Sequence, residues 1–218
     1  NLLSVLAEMN NNCRFYFAGS SEMFGDCETN PQNEDAPFNP RTIYGISKVA
    51  AYEILKLFKE NNNLHTCCGI LYNHESPRRD SIYVTKKIIN FVVELKLGSK
   101  NKLYLGDLNA QRDWGYAKDY TKAIYKIMQF DKPETFVIST GELHSVKDIC
   151  RIAFGYYGYD YHDFVVVNDQ LKRPKEKNVL LGDSSKARKL LNWEPSISFE
   201  ELIVMMVERE FVKRSRLQ

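Results

Sequence analysis

What the sequence lacks narrows its function first. No apolar run reaches the roughly 20 residues that a membrane-crossing helix needs, and no signal-peptide pattern is visible. Neither sign of charge is in excess: 30 Lys and Arg stand against 28 Asp and Glu, a formal net charge of +2 in 218 residues. That balance argues against nucleic acid or an anionic membrane as the main partner. There is no cysteine framework either. Cys13, Cys27, Cys67, Cys68 and Cys150 are odd in number, none lies in a CxxC pair, and no zinc-type spacing joins them to the four histidines. Reduced thiols in a cytoplasmic protein without a metal site are expected. Repeats and low-complexity segments are missing, and so is an initial methionine. The chain opens "NLLSVLAEMN", with helical spacing from the start, and reads as entered partway through a domain, its true start expected upstream.

What is there is globular: 44% hydrophobic and 27% charged residues, in a length that suits one large domain or two small ones. Strand and helix signals alternate, which predicts an α/β fold with a mainly parallel sheet. Strands are expected at "CRFYFA", "HTCCGILYN", "KLYLG", "TFVIST" and "DFVVVN". Helices are expected at the opening, at "YGISKVAAYEILKLFKENN" with apolar Ile46, Val49, Ala50, Ile54, Leu57 and Phe58, and at "VTKKIINFVVELKLG", ended by Gly98. Further helices follow at "AKDYTKAIYKIMQF", at "HSVKDICRIAFGYYG" with a Ser145–Asp148 capping box, at "SSKARKLLNW", and after Ser198 with Glu201 three residues on. "CETNPQNEDAPFNPRT" and "NHESPRRD" read as loops.

The stretch "RFYFAGSSEMFG" ends an apolar strand on two hydroxyls and a carboxylate, Ser20, Ser21 and Glu22. In open α/β sheets ligands bind beyond the carboxyl ends of the strands. A hydroxyl there can hold a substrate oxygen, and a carboxylate can take a proton from the neighbouring carbon. The bland alternative has the serines capping the next turn and Glu22 in water. Further on, Tyr44 and Lys48 stand four apart on one helix face. A phenol titrates near ~10, and a neighbouring ammonium favours its ionised form, so the pair suits proton abstraction from an alcohol. The spacing alone is weak, since Tyr83 and Lys87 repeat it.

Taken together, "GSSEMFG", "NPRTIYGISKVAAY", "GILYNHESPRR", "VTKKI", "LYLGDLNAQRDWGYAKDY", "FVISTGELHSV" and "LLGDSSKARKLLNWEP" resemble the GDP-mannose 4,6-dehydratases of the extended short-chain dehydrogenase/reductase family, from about Arg14 to about Glu210. The resemblance implies a partial Rossmann-like parallel sheet with helices on both faces, plus a smaller C-terminal α/β domain that binds the nucleotide sugar. Residues 1–73 and 102–140 would be what remains of the cofactor domain, and 74–101 and 141–218 the substrate domain. The family's Gly-x-x-Gly-x-x-Gly turn is absent from the sequence. By position, Ser20 stands where the family has its active-site threonine, Glu22 at the carboxylate that deprotonates C5, Tyr44 at the base, and Lys48 at the lysine that tunes it. Tyr44, Lys48, His74 and Arg79 fall at cofactor contacts, the cofactor being NADP with NAD as the alternative. Ser21, Asn73, Lys87, Arg112, Arg173 and Glu176 fall at contacts to the GDP-sugar. Read from residues alone, Lys87 is a solvated helix lysine, His74 a structural histidine, Arg112 an ion-pair partner of Asp113, and Glu176 part of a charged loop. Lys172, just before Arg173-Pro174, departs from the family's aromatic or apolar residue.

The implied chemistry is an internal redox dehydration of GDP-mannose to a 4-keto-6-deoxy sugar, by a cytoplasmic homodimer or homotetramer. The alternatives are a dehydratase, reductase or epimerase of another GDP-sugar, or a chain that binds nucleotide sugar without turning it over.

Overall fold

The computed structural model describes residues 1–9, 13–172 and 177–216. In chain order the elements are α1 (Leu2–Met9), β1 (Phe15–Ser20), α2 (Ile43–Asn62), β2 (Thr66–Leu71), β3 (Asn73–Glu75), α3 (Val84–Lys96), β4 (Leu103–Leu105), β5 (Gln111–Arg112) and β6 (Trp114–Tyr116). They continue with α4 (Ala117–Gln129), β7 (Thr135–Ile138), β8 (His144–Ser145), α5 (Val146–Gly155), β9 (Val165–Val167), α6 (Ser185–Leu191) and α7 (Phe199–Ser215).

Local chemistry sets many of these boundaries. Thr42 opens α2 by accepting the Gly45 N–H at 2.9 Å. Ser145 and Asp148 form a reciprocal capping box on α5, and Ser198 and Glu201 form another on α7. α3 stops where Gly98 takes φ +100°, and the Ser99 N–H closes back onto the Glu94 carbonyl at 3.0 Å.

β1, β2 and β7 form a parallel sheet in the order β1-β2-β7. The central strand, "TCCGIL", is buried on both sides, as its unbroken run of small and apolar residues requires. One face packs Phe24, Leu55, Cys68, Ile70 and Val137. The other packs Cys67, Phe136 and Ile138 against Tyr120, Ala123 and Ile127 of α4. This is the expected α/β architecture with helices on a parallel sheet.

A second body of core joins α3, α5 and α7 through Ile88, Val92, Ile149, Phe154, Ile203 and Met206, with Leu103 and Leu105 of β4 added to it. An ion network with a buried Lys86–Glu210 pair at its centre reinforces it. Lys86 Nζ lies 2.6 Å from Glu210 and 2.9 Å from the Pro77 carbonyl, and Arg214 bridges Glu210 at 2.7 Å and Glu94 at 2.6 Å. Burial alone would raise the Glu210 carboxyl, but hydrogen bonds from Lys86 and Arg214 outweigh it and hold the group below its ordinary range.

One expectation needs correcting. His74 and Glu75, read as the start of a loop, belong to a short strand, Asn73–Glu75, that pairs in parallel with β6. The apolar residues of α2 do not form one buried stripe: Ile46, Ile54 and Leu57 are exposed, while Leu55 is the side chain that enters the core.

Candidate active site

Because β1, β2 and β7 run parallel, with Ser20 opposite Leu71 and Leu71 opposite Ile138, their carboxyl ends share one edge of the sheet. Ser20-Ser21-Glu22, Asn73-His74 and Thr140 leave the sheet there. Ser20 is the last residue of β1, and its Oγ accepts the Glu22 N–H at 3.3 Å, capping a single 3-10 turn over Ser21–Met23. The cap and the display of a hydroxyl are thus compatible uses of one side chain. Ser21 is buried beneath it.

The start of α2 docks on this turn. Gly45 makes the approach possible: a Cβ there would collide with the Glu22 carbonyl oxygen and stand 3.0 Å from Pro40. Tyr44 is therefore set beside the turn, 54% exposed at the opening of α2. One helical turn on, Lys48 Nζ lies 5.5 Å from the Tyr44 ring centroid and donates to the Ala18 carbonyl at 3.0 Å. Ser20, Ser21, Glu22, Tyr44 and Lys48 are brought together by these contacts.

His74 lies at the neighbouring strand end. Burial pushes its imidazole below the ordinary histidine range, and it stacks on Tyr120 at 4.9 Å. Nδ1 lies 2.9 Å from the Tyr72 carbonyl. A carbonyl only accepts, so Nδ1 carries the proton and Nε2 is left as an acceptor. Arg79 follows, its guanidinium 3.4 Å over the Tyr83 ring centroid and its Nε 3.2 Å from the buried Glu75 carboxylate.

That arrangement dissolves the Tyr83–Lys87 decoy. Tyr83 stacks with Arg79, and Lys87 Nζ turns to the Tyr104 carbonyl at 2.7 Å. Lys87 is exposed on α3 at the edge of a groove against β4. Arg112 ends β5 and donates from Nη1 to the Gln111 carbonyl at 2.7 Å. The adjacent Asp113 is fully buried and accepts from Thr140 N at 2.9 Å, Thr140 Oγ1 at 2.7 Å and Gly141 N at 2.9 Å, tying the Arg112 segment to the loop after β7. Burial still pushes the Asp113 carboxyl above its ordinary value. Arg173 and Glu176 lie outside the described residues.

Sequence reading missed Gly45, Glu75 and Asp113. A glycine in the first turn of a strong helix was the available signal for Gly45. The two carboxylates carried none, since only tertiary structure reveals that they are buried.

The sequence profile described as GDP-mannose 4,6 dehydratase matches residues 1–206. The chain belongs to this family. Among the curated relatives of the dehydratase family it matches are GDP-mannose 4,6 dehydratase 1 of Arabidopsis thaliana, 43% identical over 206 residues, covering 94% of this chain and 57% of that protein. The Homo sapiens GDP-mannose 4,6 dehydratase is 41% identical over 217 residues, covering 92% and 58%. The chain therefore spans less than two thirds of the length of these dehydratases. Among solved structures, RMD from Pseudomonas aeruginosa complexed with NADPH superposes with a TM-score of 0.88 at 17% identity, over 97% of this chain and 71% of that one. A dTDP-glucose 4,6-dehydratase from Bacillus anthracis in complex with NAD gives 0.84 at 19%, over 99% and 66%. At those identities the structural likeness shows the fold alone.

Proposed function

We propose that this chain is a C-terminal portion of a GDP-mannose 4,6-dehydratase, carrying part of the cofactor side and the sugar-nucleotide side, an enzyme that converts GDP-mannose to GDP-4-dehydro-6-deoxy-D-mannose and water. The observation that carries this reading is the docking of α2 on the Ser20–Glu22 turn. That docking supports the reading, because Ser20, Glu22, Tyr44 and Lys48 then belong to one sheet edge in a chain of the dehydratase family.

Ser20 holds the C4 oxygen. Tyr44 accepts the proton from that oxygen as C4 is oxidised, with the Lys48 ammonium one helical turn away, 5.5 Å from its ring centroid. The ketone acidifies C5–H, and Glu22 removes that proton. Glu22 passes that proton to the departing C6 hydroxyl, which leaves as water, then takes a proton from solvent and delivers it to C5, while Tyr44 releases its proton to solvent. Lys87 and Arg112, with Arg173, bind the diphosphate as charge-assisted partners, and Ser21, Asn73 and Glu176 complete the sugar-nucleotide contacts.

The donor set at this edge fits one end of a nicotinamide dinucleotide: two cations, a phenol and an imidazole whose Nε2 accepts. Tyr44, Lys48, His74 and Arg79 would hold it, as NADP with NAD as the alternative. Once bound, it supplies the hydride acceptor for C4 and donor for C6. A glycine-rich turn, which holds the pyrophosphate in such folds, is absent from these 218 residues.

The proposed division of labour keeps 1–73 with 102–140 on the cofactor side and 74–101 with 141–218 on the sugar-nucleotide side. The β1-β2-β7 sheet supports the first group and the α3–α5–α7 core the second. In packing terms β4 goes with the latter. The proposed assembly is a homodimer or homotetramer in the cytoplasm. As a separate fact, among the described residues no helix is long and apolar enough to cross a membrane.

The test is conversion of GDP-mannose with NADP⁺ to a 4-keto product, assayed on this chain and on the longest polypeptide its reading frame encodes. Glu22→Gln is expected to lower turnover about 100-fold or more while sparing cofactor binding, the scale of a lost general base. Undiminished product formation by Glu22→Gln removes the carboxylate from the mechanism.

A further inference from the structure

Arg79 is held from two sides by residues that the proposed chemistry leaves unused. Glu75 ends β3, and a turn closed by the Arg79 N–H on the Ser76 carbonyl at 3.0 Å brings the arginine back to it, Nε 3.2 Å from the carboxylate. Tyr83, at the opening of α3, sets its ring centroid 3.4 Å from the guanidinium. Nε is buried in this contact, while the Arg79 side chain keeps 24% of its surface. The Nε side and one face are therefore taken. Neither Nη atom has a hydrogen-bond partner among the described residues. Glu75 itself is buried, and burial raises its carboxyl. A buried acid of this kind weakens the fold once it is charged, and a glutamine of the same size would not. Stability alone does not account for the carboxylate.

We propose that Glu75 and Tyr83 are positioning residues, which fix the Arg79 guanidinium so that its Nη edge meets an oxygen of the nicotinamide dinucleotide. The inference rests on the cofactor reading above and adds the residues that aim the arginine. A long side chain loses rotamer freedom when it grips a ligand, and a clamp that settles its geometry beforehand removes that loss from the binding step. The charge of Glu75 works in the opposite direction. A carboxylate beside Arg79 repels an anionic cofactor, so on charge alone Glu75→Gln strengthens binding. The clamp requires the reverse, because the amide gives up the charge-assisted grip on the guanidinium. The sign of the change separates orientation from electrostatics.

Titration with NADP⁺, read by cofactor fluorescence or calorimetry on the longest polypeptide the reading frame encodes, tests this. Glu75→Gln and Tyr83→Leu are each expected to weaken NADP⁺ at least about threefold. Tyr83→Phe, which keeps the ring, is expected to restore the affinity that Tyr83→Leu loses. In an Arg79→Ala background Glu75→Gln and Tyr83→Leu are expected to change affinity by less than about twofold, since both act through the arginine. Urea denaturation near about pH 8 is expected to find Glu75→Gln no less stable than the unaltered protein, so that lost affinity is not lost folding. Unchanged or tighter NADP⁺ binding by Glu75→Gln, or a loss that persists in the Arg79→Ala background, overturns the proposal, as does a polypeptide that binds no NADP⁺. Tyr83 is 43% exposed, so its variants decide the matter even where a Glu75 variant fails to fold. Clamp-dependent NADP⁺ binding without turnover of GDP-mannose leaves the clamp standing and removes the dehydratase reading. Turnover with an affinity indifferent to Glu75 and Tyr83 does the reverse.

Discussion

Glu75 is 2% exposed, and its carboxylate lies 3.2 Å from Arg79 Nε. Burial pushes its carboxyl up to about 7, and the Arg79 charge only partly opposes that. A carboxyl raised on folding binds its proton more tightly in the native chain. Its contribution to stability is complete below the ordinary value of 4.5 and is lost as the pH rises through about 7. Urea denaturation of the chain and of Glu75→Gln across that window checks this. The stability of the unaltered protein is expected to fall relative to the variant by about 1–3 kcal/mol, since each tenfold change in proton affinity corresponds to ~1.4 kcal/mol. A difference that does not change with pH contradicts the assignment. Nothing in "NHESPRRD" distinguishes Glu75 from a solvated loop acid; its burial comes from β3 pairing with β6, some 40 residues on. Gly45 is the opposite case. Its position beside Tyr44 was visible, and only the structure shows that a side chain there meets the Glu22 carbonyl.

At the level of elements, helix ends were the most legible feature. The capping boxes of α5 and α7 and the Gly98 stop of α3 use residues within a few positions of one another, so the sequence alone contains them. Three-residue strands such as β3 and β6 were not legible, because their partners are distant in sequence and their side chains follow no period. α2 shows how a helix can be legible while its buried face is not. Its periodic Ile46, Ile54 and Leu57 are exposed, as are Leu2, Val5 and Met9 of α1, which packs beside it. In the homodimer or homotetramer proposed above, a second copy of the chain would cover this face. Sedimentation equilibrium is expected to give two or four times 25.4 kDa, and Ile54→Glu with Leu57→Glu to give the monomer mass. An unaltered chain that sediments as a monomer refutes this assignment.

Over the whole molecule, the sheet orders the chemistry. Parallel strands β1, β2 and β7 bring the Ser20–Glu22 turn, the Asn73–His74 segment and the Thr140 loop to one edge, and α2 adds Tyr44 and Lys48 to it. The alternation of strand and helix signals was enough to expect such an edge. It could not show that Lys87 turns away to the Tyr104 carbonyl or that Asp113 ties the Arg112 segment to the loop after β7. The reaction proposed for this edge differs from a simple oxidation or an epimerisation at C4: water leaves from C6, and C5 loses its proton and regains one from solvent by way of Glu22. Turnover of GDP-mannose in D₂O, followed by NMR of the product, tests that directly. The expected product is a 4-keto-6-deoxy sugar carrying one solvent deuterium at C5. A product with hydrogen retained at C5, or no product from either this chain or its longest encoded form, contradicts the account.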